Sequence, residues 1–132
     1  MDPLAIAAAS LVAKAALEGA AKKAGEGGWS ALSKVGGWLR DRFRHDGDDD
    51  GLAALDKVED VPDSPSQVQL LARHLDARIG ADAGFQSELG VTVDQVGAVG
   101  GEVGAFVVHV RDNARVGKIV QIGVVNTETF NA

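Results

Sequence analysis

Apolar residues recur at helical spacing along the first two-thirds of the chain, and the texture changes after that. Residues 3–24 predict a helix, with Leu4, Ile6, Leu11, Val12 and Leu17 as an apolar stripe. Lys14, Glu18 and Lys22 lie four apart on its polar face. Asp2 is placed to cap it, Pro3 suits its first turn, and its many alanines favour helix intrinsically. Gly25, Gly27 and Gly28 end it. Residues 29–43 predict a second helix through Trp29, Leu32, Val35, Leu39 and Phe43, with Trp38 beside them and Gly36-Gly37 weakening the middle. Residues 45–51 read as an acidic loop and 52–58 as a short helix. Pro62 and Pro65 punctuate the chain, and Ser64 or Ser66 is placed to cap a helix over 66–79, apolar at Val68, Leu71, Leu75 and Ile79. Residues 81–89, with Phe85 and Leu89 four apart, form a short fourth element.

Beyond residue 91 the chain is rich in Val and Gly and poor in strong helix formers. Residues 97–104 read as a Gly-rich connector. The β-branched runs 106–110 and 116–125, separated by Asp112-Asn113, read as strands. The expected fold is therefore mostly α. A bundle of about four helices occupies residues 1–90, a tether 91–103, and a β-forming tail 104–132.

Charge divides the chain more sharply than hydropathy does. Residues 1–44 carry a net +3 and residues 45–65 a net −7, within an overall −6 for 132 residues. That acidity argues against nucleic acid as a partner. The absence of Cys excludes disulfides, thiolate metal sites and a cysteine nucleophile. Three scattered His make no His-only metal cluster of ordinary spacing. No nucleophile–base–orienter set has a supporting signature, and the glycines of residues 97–104 lack dinucleotide-binding spacing, so neither an enzyme nor a cofactor is expected. Asp2 stands where a secretory leader is basic, and charges interrupt the longest apolar runs, so a cytoplasmic protein is expected.

Three segments carry candidate chemistry. Asp46, Asp48, Asp50 and Gly51 reproduce the start of a calcium-binding loop, D-x-D-x-D-G. Lys57 then stands where a bidentate Glu belongs and Ala54 fills the ninth position, so a solvated acidic linker is the favoured reading. The basic helix 29–44 reads either as a membrane-facing element or as an ordinary bundle helix with aromatic core residues and solvated arginines. In the first case Trp29, Trp38 and Phe43 enter the interface while Arg40, Arg42 and Arg44 meet headgroups. The tract Val116–Val125 combines strong β propensity, one charge and no Pro. It suits either stacked cross-β layers or a hairpin completing a small α+β domain. In the stacked case Val116, Lys118, Val120, Ile122 and Val124 share one face. Gly117, Ile119, Gln121, Gly123 and Val125 share the other, and Gln121 and Asn126 are placed for amide ladders.

Val120-Gln121-Ile122-Gly123 matches the V/I-Q-I/V/L-G tetrad of the RIP homotypic interaction motif, and Asn126 falls where that motif has Asn. Glu128 departs from the motif's next apolar position. Residues 113–125 resemble the related amyloid signalling sequences of small bacterial proteins. Residues 1–90, through the Met1–Ala9 segment, the Ala-rich helix, Glu18–Lys23 and the Trp-containing basic helix, resemble bacterial Bell domains. These are similar to HeLo domains and to the four-helix executioner bundle of the necroptosis effector.

The resemblance implies a cell-death or immune effector of prion-like type. Its tail would polymerise through Val116, Gly117, Ile119, Val120, Gln121, Ile122, Gly123, Val124, Val125 and Asn126, templated by a receptor with a matching motif. Its helical domain would then move from the cytoplasm to the inner face of the cell membrane. There Leu4, Ile6, Leu11, Val12, Leu17, Trp29, Trp38, Phe43, Arg40, Arg42 and Arg44 would meet lipid. Two alternatives stay open: a self-assembling interaction module that leaves membranes intact, and a calcium-responsive adaptor using Asp46, Asp48 and Asp50.

Overall fold

Four helices of this chain begin where a short polar side chain meets the first free backbone N–H groups. A computed structural model describes residues 2–20, 32–98 and 101–116. Among the described residues there are six helices: α1 (Pro3–Ala20), α2 (Ser33–Asp46), α3 (Asp49–Asp60), α4 (Pro65–Ala81), α5 (Ala83–Gly97) and α6 (Gly101–Arg115). Asp2 accepts from the Leu4 N–H at 2.8 Å, and its own N–H donates to Asp76 on α4 at 2.7 Å. Asp48 accepts from the Gly51 N–H at 2.9 Å, Ser64 from Gln67 at 3.4 Å and Asp82 from Phe85 at 3.1 Å. The expected caps at Asp2 and Ser64 are thus in place, with Pro65 opening α4.

The turn between α2 and α3 is two residues long. Gly47 adopts φ 67°, and its N–H and that of Asp48 return to the carbonyls of Arg44 and Phe43. The expected loop over 45–51 is therefore mostly helix, and the acidic stretch does not act as a linker. Asp49 and Asp50 sit in the first turn of α3, where negative charge complements the helix dipole.

α1 packs against each of the other five helices. Every residue from Ala5 to Ala13 is buried. An apolar stripe was expected, but the helix is enclosed on all sides over this stretch, as an all-round apolar helix must be in water. Alanine allows the enclosure, because its small side chain lets neighbouring backbones approach. Ser10, the one buried polar residue among those described, satisfies its hydroxyl by donating to the Ile6 carbonyl at 2.9 Å. The rest of the core comes from the inner faces of α2–α6, including Leu32, Val35, Leu39, Phe43, Leu55, Leu71, Leu75, Phe85, Leu89 and Val93.

Gly36 and Gly37 do not break α2, since Gly36 is buried in the packed interior. The short fourth element expected over 81–89 extends to Gly97 as α5. The larger correction concerns residues 97–115. The expected connector and the β run 106–110 are largely α6, with Val103, Val107, Val110 and Ala114 buried on one side. Their spacing of four, three and four residues is helical, and burial of that face outweighs the β preference of the individual valines. The expected tether and strand do not form over these residues. The remainder of the expected β tail, residues 117–132, lies outside the described residues.

Candidate functional site

The densest arrangement of charged and aromatic groups lies where α2, α4 and α5 meet. Phe85 of α5 is fully buried, its ring centre 5.3 Å from Trp38 and 6.4 Å from Phe43, the latter stacked at 15°. Two arginines cover this trio. Arg78 of α4 lies 4.7 Å from the Phe85 ring centre and Arg42 of α2 lies 5.7 Å from it, with Arg42 also 5.8 Å from Trp38.

Carboxylates from several elements hold both guanidinium groups in place. Arg42 pairs with Asp46 at 3.1 Å, Asp82 at 3.2 Å and Glu88 at 2.8 Å. Arg78 pairs with Asp46 and, at 2.8 Å, with Asp48. His74, one turn before Arg78, donates from Nε2 to the same Asp48 oxygen at 2.6 Å and meets the Phe43 ring edge-on. Asp48 and Asp82 therefore do two jobs: each caps a helix and each joins an arginine from another helix.

Titration follows from these contacts. Hydrogen bonding from Arg78, with Arg42 adding to it, holds the Asp46 carboxyl below its ordinary value of 3.8. Burial alone would push Asp48 up. Hydrogen bonds from His74, the Gly51 N–H and Arg78 outweigh it and hold that carboxyl below 3.8 as well. Burial likewise opposes the charge on Arg78, and its bonds to Asp46 and Asp48 more than offset this, raising its pKa.

Gly51 is what lets α3 come this close. A Cβ there would lie 2.9 Å from Asp48 Oδ2, His74 Nε2 and a Phe43 ring carbon. The cluster's guanidinium groups are matched by carboxylates. What it does chemically is fasten helices.

The sequence-predicted site residues fall into four sets. Ile6, Leu11, Val12 and Phe43 are buried in the core, and Leu4, Leu17 and Trp38 are partly buried. Arg40 pairs with Asp56 at 2.9 Å and with Glu59, Arg42 belongs to the cluster, and Arg44 is exposed. Asp46 and Asp48 face arginine and histidine, while Asp50 is exposed in the first turn of α3. The three carboxylates of the calcium reading therefore do not act as one ligand set, and no group of three metal-ligating side chains occurs among the described residues. Val116 is exposed, its N–H bonded to the Asn113 carbonyl. Trp29, Gly117, Ile119, Val120, Gln121, Ile122, Gly123, Val124, Val125 and Asn126 lie outside the described residues.

Sequence reasoning missed His74, Arg78, Asp82 and Gly51 as a set. The His74/Arg78 and Arg42/Asp46 spacings of four are the only local signal, and they do not reveal that the two helices meet. Among the described residues no helix is long and apolar enough to cross a membrane. Open cavities lie among the described residues. One of about 660 Å³ runs along α3 beside Asp56, Lys57, Glu59 and Asp60, and one of about 260 Å³ lies between Ala15, Ala16, Gly36 and Glu59. No protein-family model matches this chain, and neither a curated protein nor a solved structure is significantly similar to it.

Proposed function

We propose that this chain is a prion-like cell-death or immune effector. In this reading the segment from Val116 to Asn126 assembles by strand addition onto a matching template, which gathers helical bundles at high local density. The gathered bundles then act on the inner face of the cell membrane. The observation that carries the reading is the Val120-Gln121-Ile122-Gly123 tetrad, with Asn126 after it, which follows α6 in the sequence. The enclosed apolar surface of α1 is the natural store of membrane-active sequence, since it must leave the bundle to meet lipid. Lys14 and Glu18 make a lone spanning α1 costly, so the membrane form is an assembly.

The test is dye release from anionic vesicles by the full chain seeded with preformed filaments of the tail, beside a chain ending at residue 116. The proposal expects release from the full chain and none from the shortened one. Equal release from both would remove the templating step.

A second reading has its own support. Phe43 and Ile6 are buried, and Arg40 and Arg42 are engaged by carboxylates, so residues expected to face a membrane are committed to the fold. This favours a self-assembling interaction module that leaves membranes intact. Filament formation without dye release would select it.

A further inference from the structure

The helices are not held with equal strength or by the same means. α2, α4 and α5 meet in the arginine–aromatic cluster, and Asp48 ties the start of α3 into it. Four carboxylates, two guanidinium groups, an imidazole and three rings interlock there. The pairs centred on Arg78 and Asp48 are mostly shielded, with side chains 18% and 14% exposed. Removing Arg78 takes an ion-pair partner from both Asp46 and Asp48.

α6 is attached differently. Its fully buried inner face is Val103, Val107, Val110 and Ala114, all small side chains, with Phe106 partly buried against the core beside them. Gly97 and Gly104 bring it close to α5: a Cβ on Gly104 would lie 3.1 Å from the Gly97 carbonyl oxygen. Its polar contacts with other helices include the Arg111–Asp94 bridge to α5, with side chains 44% and 64% exposed, and Lys14 lying 5.3 Å from the Phe106 ring centre. Exposed pairs of this kind contribute little. Its sequence resists helix by itself, with Gly101, Gly104 and four valines in 15 residues. Burial of its inner face supplies what its local propensity lacks.

We propose that the bundle opens in two steps, with α6 separating from α1 and α5 first while α2–α5 stay joined by the arginine–aromatic cluster. The first step uncovers the side of α1 on which α6 lies, and it leaves the caps at Asp48, Ser64 and Asp82 intact. This inference does not depend on the functional reading above, because it concerns the order of opening of the isolated chain.

Amide hydrogen exchange on the full-length chain near neutral pH tests it. The slowest α6 amides should exchange at least about tenfold faster than the slowest amides of α2 and α4, with weak dependence on low denaturant. Gly97→Ala puts a Cβ 3.2 Å from Val107 Cγ1 and should speed exchange in α6 while leaving α2 and α4 unchanged. Arg78→Lys keeps the charge but loses the planar fork that bridges Asp46 and Asp48, and it should speed exchange in α4 and the first half of α5. One shared rate of opening across all six helices would overturn the proposal. So would opening of α2 or α4 before α6, or a Gly97→Ala effect spread evenly over the bundle.

Discussion

The corner where α2, α4 and α5 meet and the side where α6 lies on α1 belong to one core, yet different physics holds them. The corner is directional: fixed donors and acceptors, ring faces under guanidinium groups, and helix caps that also serve as ion-pair partners. The α1–α6 side is chiefly a fit of small apolar surfaces, with Lys14 lying over the Phe106 ring. The first kind of contact fixes which helices meet and in what register. The second is less directional, because apolar contact does not depend on the angles at which groups meet. A bundle built mainly from Ala, Val and Leu has many near-equivalent packings, and the corner selects among them.

Breaking the corner at its centre should have the largest effect. Phe85→Ala removes the ring that both arginines cover and should cost about 3–5 kcal/mol, read as a lowered denaturation midpoint. Arg78→Met keeps much of the packing but takes the guanidinium partner from Asp48 and one of two from Asp46, leaving Asp48 with His74 and Asp46 with Arg42. A loss of about 2–3 kcal/mol is expected, and a loss below about 0.5 kcal/mol would show that the corner is ornamental. Gly51→Ala forces a methyl against Asp48, His74 and Phe43 and should cost about 1–3 kcal/mol. On the other side, Arg111→Ala cuts an exposed bridge and should cost less than about 1 kcal/mol.

Acid sharpens the same comparison. Asp46 and Asp48 have folded pKa values below 3.8, so their contribution is fully present above that range and is lost as pH falls through it. Thermal scans should show no change from these two groups between pH 8 and 6 and a falling midpoint below about pH 4. In Asp48→Asn, which keeps a capping side chain, the acid-dependent part of that fall should shrink. An unchanged acid limb would mean that other carboxylates carry it.

How much of this was legible in the sequence depends on how far apart the causes lie. Helices set by nearby residues were readable: Asp2 before Pro3, Ser64 before Pro65, and the apolar spacing of Val68, Leu71, Leu75 and Ile79. α6 was misread because Phe106, Val107, Val108 and Val110 favour strands locally. Its helical spacing at Val103, Val107, Val110 and Ala114 becomes decisive only when α1 and α5 offer a surface to cover it. The corner was invisible for a related reason. Asp46 and Asp48 looked like the start of an ion-binding loop, and the arginine that claims them lies 32 and 30 residues away. Charge density was plain in the sequence, but its partners depended on the fold.

The claim about the tail meets its most direct test in the full chain itself. Thioflavin fluorescence and electron microscopy would follow the wild-type protein beside Gln121→Pro, which removes a ladder N–H from the middle of the tetrad. The account predicts thioflavin-positive filaments from the wild type and none from the variant, with the bundle's helical signal retained in both. Filaments from both, or from neither under seeding, would contradict it.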